Sequence, residues 1–460
     1  MPRFPLMIPL IVGGAQFMHQ FDGAVIATAL PSMAASLGQD PVRLNLAISI
    51  YLLALAVFVP VSGWMADRFG AKRVFIAAIV VFTTSSVLCG LSHSLPELVL
   101  YRLVQGIGGA MMTPVGRVIV LKSVPKTQLV QAMNYITIPA VLGPLLGPSV
   151  GGFIVTYFSW PWIFFINLPI GIAGVFMVRS LIPEVEAAQV APFDLRGFAL
   201  IGMAVLGLVF GFEALGRGVV PVPVILASLA VGALFSGLYL MHARRTSDPI
   251  IDLGLMRIGT FATSITGGGL FYFSTTSSVF LLALLLQLGF GFSAFQAGLM
   301  TLASAVGSVA MRFAFQPLLR PLGFRRLLIW NAVVTSGFLI TCGFFRIGTP
   351  YPLIVLVLLI GGFSRSVQFT AAQSLGYAEM PSALLSRATS FMAMAQQLAQ
   401  SFGVGLVALV VHLGLAWRGG GAIAAQDVGL GYFAIGILTL ASVLIFYRLP
   451  AHAGAELGGR

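Results

Sequence analysis

Apolar runs of about 20 residues, the length that crosses a bilayer as a helix, follow one another almost without pause from Met7 to the last arginines of the chain. Few features constrain a fold more. In hydrocarbon no water satisfies backbone amides and carbonyls, so each such run must satisfy its own as an α-helix. The composition agrees: 58% of the 460 residues are hydrophobic and 8% are charged, where a soluble domain carries about 25% charged residues. Mean hydropathy is +1.01. At 20 to 22 residues per span the length has room for about fourteen helices and almost none for a soluble catalytic domain. The expected fold is an all-α polytopic membrane protein, without catalytic residues.

Spans are expected near 7–30, 45–66, 74–92, 97–121, 130–157 and 162–182. Six more are expected near 260–287, 293–315, 325–346, 352–377, 386–415 and 428–448. The stretch 195–243 between the two groups carries only Arg196, Glu213, Arg217 and His242 as ionisable residues, broken by Gly216-Arg217-Gly218, Pro221 and Pro223. It therefore reads as two further spans. Three segments result: a six-helix bundle over 1–183, two additional helices with linkers over 184–258, and a second six-helix bundle over 259–460. Gly70-x-Lys72-Arg73 after the second span recurs as Gly323-x-Arg325-Arg326 at the matching place in the second group, an internal repeat.

The formal net charge of +12 raises the question of nucleic acid. Its distribution answers for the membrane, because the basic residues fall in small groups between apolar runs. With both termini cytoplasmic, the outer loops hold only Arg43, Arg217, Arg346 and Arg418, and Arg102 and Arg365 lie within spans. The remaining 19 of 25 Lys and Arg residues face inward, the asymmetry of a multi-pass protein of a bacterial inner membrane. The first span, after Met1-Pro2-Arg3, reads as an uncleaved signal anchor. Cys89 and Cys342 both lie in apolar segments, which argues against a disulfide framework or a cysteine metal site. No metal, cofactor or nucleic-acid partner is expected, and the chain reads as a monomer.

Several motifs stand out. After the second span comes Gly63-Trp-Met-Ala-Asp67-Arg68-Phe-Gly70-Ala-Lys72-Arg73. The fourth span opens Tyr101-Arg102-Leu-Val-Gln105-Gly106-Ile-Gly108-Gly109. In the fifth lies Gly143-Pro144-x-x-Gly147-Pro148-x-x-Gly151-Gly152. In this order and spacing they resemble the signature motifs of the major facilitator superfamily, the third in its exporter form. Phe21-Asp22-Gly23 through Pro31 in the first span, and Trp162 through Asn167-Leu-Pro169-Ile-Gly171, narrow the resemblance to its fourteen-helix drug/proton antiporters. It covers nearly the whole chain. Ala24 and Ala27 depart from it, standing where that family usually has Thr and Asn, and Trp160-Pro161-Trp162 replaces its Trp-Arg-Trp.

A carboxylate isolated in hydrocarbon costs at least about 2.5 kcal/mol, so Asp22 needs a partner, a cavity or a proton. Counting about 1.5 Å per residue puts Asp22 and Arg102 at one depth, ~8 Å below the outer face. Asp22 is the candidate for proton coupling, alternating between a protonated form and a carboxylate paired with Arg102; a permanent pair that only orients helices is the alternative. His19, one turn earlier, either relays the proton or is a cavity-lining or hydrogen-bonded bystander. In the fifth span the glycines recur every four residues on one face and permit close backbone approach, while Pro144 and Pro148 remove amide donors and favour a bend. The resemblance implies that this helix seals the path between halves in exporters. Around Gly63, Asp67, Arg68, Gly70 and Arg73 the glycines allow a tight turn, and Asp67 can accept from a neighbouring helix N-terminus or from an Arg, a latch on conformation.

Substrate-contact candidates are Gln105, Tyr272, Arg365, Gln368, Gln396, Gln397 and Gln400, five amides, an aromatic and an arginine; aromatic walls with a few amides suit small amphiphilic organic molecules. Arg365 either selects anionic substrates or pairs with an acid such as Glu379. The resulting expectation is a secondary transporter that exports small organic compounds in exchange for protons by alternating access. A proton-coupled uptake symporter and a membrane sensor or structural subunit without flux are its rivals.

Overall fold

The computed structural model describes residues 7–125, 128–184, 192–217, 220–292, 294–420 and 423–455. Among them every regular element is helical. They are α1 (Met7–Leu37), α2 (Pro41–Phe58), α3 (Val61–Phe69), α4 (Ala71–Gly90), α5 (Leu95–Ser123), α6 (Leu129–Tyr157), α7 (Trp162–Phe165) and α8 (Asn167–Leu181). Then follow α9 (Leu195–Arg217), α10 (Val222–Ala243), α11 (Gly259–Leu284), α12 (Ala294–Gly343), α13 (Tyr351–Ala378), α14 (Leu385–Trp417) and α15 (Ala425–Phe446). Ten helices among the described residues are long and apolar enough to cross a membrane, or eleven if the bent pair α2–α3 is one span.

The expected spans match these helices with three local differences. The second span is broken: Arg43–Phe58 and Val61–Phe69 meet at 59°, where Pro60 lacks the amide that would continue the helix. The expected pair 293–315 and 325–346 is one run of 50 residues, kinked at Gly323 with φ 69° and ψ 168°. Gly70, which ends α3 and starts α4, likewise has φ 87°. The two glycines of the internal repeat thus both adopt a region of φ that side chains disfavour. Finally, the expected span 162–182 is α7 followed by α8. Of the expected turn at 216–218, Gly218 lies outside the described residues.

The chain folds into two compact units: Met1–Gly202 with Tyr239–Asp252 and Pro381–Met394, and Met203–Leu238 with Leu253–Met380 and Ala395–Arg460. Each has its own apolar core. In the first, Phe21, Val25, Ala29, Leu44, Leu98, Ile163 and Phe164 pack together; in the second, Leu281, Leu285, Leu358, Val407, Val428 and Ile435 do. Large apolar side chains also cover the outside, among them Phe176, Leu226, Phe313 and Leu444. An exterior so apolar suits lipid and not water.

Candidate functional site

The α6 glycines build the first unit's site by fixing where α1 runs. A methyl group on Gly143 would stand 2.8 Å from the Gln20 Cβ, and one on Gly147 2.6 Å from the Ala24 Cβ. One on Gly151 would run into the Thr28 hydroxyl. The four-residue steps on α6 therefore meet four-residue steps on α1, and the two helices pack at backbone distance along two turns. Ala24 supplies the small side chain that Gly147 requires. Pro144 lies on an exposed side of α6, and the side chains of Pro148 and Ala27 are outside the described set.

Held in this way, α1 turns Asp22 inward, where it is 0% exposed. Arg102 Nη1 on α5 donates to Asp22 Oδ2 at 2.5 Å. Gln105 Nε2, one turn further along α5, donates to Asp22 Oδ1 at 2.9 Å, and Asn167 Nδ2 at the start of α8 donates to the same oxygen at 3.1 Å. Arg102 Nη1 also donates to Gln105 Oε1 at 2.6 Å. Charge-assisted bonds such as these are short and stronger than neutral ones. The guanidinium carbon lies 4.4 Å from the centre of the Tyr51 ring and 5.6 Å from that of Phe164, so the ring faces take up part of the positive charge. Among the described residues, Arg102 Nε and Nη2 have no hydrogen-bond partner. His19 sits at the margin, half-buried, its Nδ1 hydrogen-bonded to the Tyr51 hydroxyl at 2.5 Å.

Sequence reasoning thus named both charges and His19, and it grouped Gln105 with the substrate contacts. The structure places Gln105 in the charge cluster, fully buried. Asn167 and Tyr51 were missed as members. The Asn-x-Pro motif flagged Asn167 without saying what it bonds, and nothing in sequence marks a tyrosine that lies under an arginine from another helix.

At the α3 turn, Asp67 is 7% exposed, and Lys122 Nζ from the end of α5 lies 3.8 Å from its Oδ1. Gly63 meets the start of α14: a methyl there would stand 2.6 Å from the Ser386 carbonyl oxygen. The Ser62 and Ser390 hydroxyls are hydrogen-bonded at 2.7 Å. Arg387, in the first turn of α14, reaches Asp248 at 2.9 Å and Asp252 at 3.8 Å. A small cleft opens here, lined by Gly63, Trp64, Asp67, Asp194, Asp248 and Arg387 among others. Arg68 and Arg73 are exposed.

In the second unit the substrate-contact candidates part company. Gln368 is fully buried and committed to the α12–α13 contact, its Oε1 accepting from Asn331 at 2.9 Å and its Nε2 donating to the Leu328 carbonyl at 3.3 Å. Tyr272 is buried between Phe271 and Phe369. On α14 Gln396 is buried, and Gln397 and Gln400 are half-buried. Arg365 does not meet Glu379, whose Oε2 accepts from Thr260 at 3.2 Å. Its Nη2 donates instead to Ser304 Oγ at 2.6 Å and its Nη1 to Ser278 Oγ.

The family description "Major Facilitator Superfamily" matches residues 12–404. The chain belongs to this superfamily. Two bacterial relatives carry the name "Putative multidrug resistance protein MdtD". The one from Salmonella dublin is 40% identical over 88% of this chain and 86% of its own. The one from Pectobacterium carotovorum is 38% identical over 96% of this chain and 95% of its own. Among solved structures the fold resembles the human organic anion transporter MFSD10 (TM-score 0.68, 17% identity, 97% of this chain and 100% of that one). It also resembles the proton:xylose symporter XylE (TM-score 0.69, 17% identity, 98% and 97%). The protein is a multi-pass membrane transporter of this superfamily and not an enzyme.

Proposed function

We propose that this transporter is a proton-coupled exporter of small amphiphilic organic compounds, working by alternating access, with Asp22 as the proton-carrying group. The observation that carries the reading is the fully buried Asp22–Arg102 pair. An ion pair inside the membrane is costly to keep, and a carboxylate that takes up a proton when the guanidinium lets go turns that cost into coupling. His19, half-buried and hydrogen-bonded to the Tyr51 whose ring lies against Arg102, is the proposed proton relay toward the carboxylate. A proton moving down 100 mV supplies ~2.3 kcal/mol, enough for a roughly fiftyfold substrate gradient.

Export, as opposed to uptake, is supported by the Gly143–Gly151 stripe, by the multidrug-resistance name of the relatives, and by the tight α1–α6 packing that the stripe creates. Asp67 with Lys122, and Gly63 against Ser386, form the proposed latch on conformation. Fourteen spans are proposed, with both termini cytoplasmic. The eleven candidates gain α1 and α6, helices of 31 and 29 residues, and α12 supplies two, because its 50 residues divide at Gly323. On this reading the chain is two six-helix bundles, 1–183 and 259–460, joined in sequence by a further pair of helices, acting as a monomer in a bacterial inner membrane.

Purified protein in liposomes tests the proposal. An imposed pH gradient should drive accumulation of an amphiphilic dye with protons moving the opposite way. Protons moving with the dye would indicate uptake by symport. Absence of any flux across a panel of dyes would favour a sensor or structural role.

A further inference from the structure

We propose that Arg365, framed by Ser278 and Ser304, is an anion-binding site in the second unit that takes a carboxylate carried by the transported compound. The proposal rests on the export reading and names the substrate class of that transporter.

Arg365 lies halfway along α13, with 14 residues before it and 13 after it in the helix. At 1.5 Å per residue it is ~20 Å from either end. Two backbone approaches hold it in place. A methyl group on Gly362 would collide with the Ser304 carbonyl, and one on Gly307 with that of Leu359, so α12 and α13 touch one turn from Arg365. On the other side, Ser264 Oγ of α11 donates to the Ala372 carbonyl of α13 at 2.6 Å. The guanidinium is thereby brought between Ser304 of α12 and Ser278 of α11.

These partners are neutral. Ser278 donates its own hydroxyl proton to the Thr275 carbonyl at 3.1 Å, and its oxygen merely accepts from Arg365. No carboxylate among the described residues comes within ion-pair distance of Arg365, whose hydrogen bonds go to the two serine hydroxyls. Arg102 differs on this point, having Asp22 at 2.5 Å. A full charge at mid-membrane with two hydroxyls for company is an expensive arrangement unless an anion visits it.

Geometry indicates what that anion is. A guanidinium offers five N–H donors in a planar fork, and the two serines engage one on each terminal nitrogen. Ser278 and Ser304 are 3% and 8% exposed, whereas Arg365 is only half-buried between them. The serines therefore leave the arginine unsealed, with donors to spare. A planar fork with two parallel N–H groups fits a carboxylate bidentately. A spherical inorganic ion such as chloride would share the charge preference without that geometric match.

Binding of a matched pair to the full-length purified protein tests this, with benzoate as the anion and benzamide as its neutral counterpart, measured calorimetrically in chloride-free buffer. Benzoate should bind at least about tenfold more tightly than benzamide. Arg365→Gln should erase that preference, chiefly by weakening benzoate, and Arg365→Lys should restore part of it. Size-exclusion profiles identify a variant that has failed to fold, and the Lys variant then carries the comparison. Equal affinities in the unmodified protein, or a preference that survives Arg365→Gln, would overturn the assignment. So would chloride binding accompanied by no preference for benzoate. Benzoate binding with no pH-driven flux would count against the export reading and leave the anion site standing; active flux with charge-blind binding would do the reverse.

Discussion

Asp22→Asn is the sharpest perturbation available, because it removes one charge and almost no volume. In the native cluster, Asp22 Oδ1 accepts from Gln105 and Asn167 while Oδ2 accepts from Arg102. An asparagine keeps one carbonyl for the two amides but turns an N–H toward the guanidinium, donor against donor. Arg102 is 0% exposed, so its charge is left buried and uncompensated, a change that costs about 3–5 kcal/mol in buried pairs. Retention of the two amide bonds places the expected loss near the lower end, ~3 kcal/mol, or roughly 150-fold in the folded-to-unfolded ratio. Replacing Arg102 with Met in the same chain removes the stranded charge and should recover most of that stability. Denaturation of the purified protein in detergent measures both effects. Proton-driven accumulation in liposomes should be lost in both variants, although the double variant is stable. That contrast separates coupling from folding. An Asp22→Asn protein that is as stable as its parent and still accumulates substrate in step with proton flux would refute the reasoning.

Other positions give simpler expectations. Gly147→Leu forces a large side chain onto Ala24, and overpacking of this kind costs about 1–3 kcal/mol; the protein should insert in the membrane but move no substrate, and normal efflux would contradict this. Tyr51→Phe keeps the ring beneath Arg102 and deletes the bond to His19, so stability should fall by about 1 kcal/mol while the pH profile of transport changes shape. A purely structural tyrosine would leave that profile as it was. Asp67→Asn should slow turnover without weakening substrate binding, which a comparison of equilibrium binding with flux detects. Gly323→Ala places a side chain at φ 69° and ψ 168°, a region essentially reserved for glycine and costing about 1–3 kcal/mol, and thermal denaturation should show the loss.

Which parts of this were legible in the sequence follows from the physics of each. The helices were, because a backbone in lipid has few other options, and so were the two buried charges, because scarcity made them conspicuous. Breaks within spans were less so: Pro60 lies inside an apolar run, and only the 59° between its flanking helices reveals it as a corner. Hydrogen-bond partners were the hardest, since they come from distant helices. Ala24 and Ala27 stand where the superfamily's fourteen-helix members usually have Thr and Asn, polar residues close to Asp22 in sequence. Ala24 is occupied in packing against Gly147, and α5 and α8 provide the amides in its place, through Gln105 and Asn167. Gln105 and Gln368 illustrate the same limit. Both are amides in spans, and a sequence cannot distinguish an amide that faces a cavity from one already satisfied by its neighbours.

The two arginines inside spans show what that distinction implies for function. Arg102 and Arg365 are the same side chain in the fourth helix of their respective proposed bundles, and their surroundings differ in one respect that matters. Asp22 neutralises the first, and among the described residues the second is hydrogen-bonded to serine hydroxyls and to no carboxylate. A neutralised pair can exchange a proton for its salt bridge. A guanidinium with neutral partners has no such internal exchange and changes its electrostatic state only when something outside the protein arrives. If both act within one transport cycle, protonation of Asp22 leaves Arg102 positively charged, and arrival of a carboxylate cancels the charge at Arg365. With one proton entering for each substrate leaving, export of benzoate moves two charges down an inside-negative potential and exchange for a monovalent cation moves none. Net charge moved per substrate, measured for benzoate against a cationic compound of similar shape, tests this, and equal values would refute two separate sites of this kind.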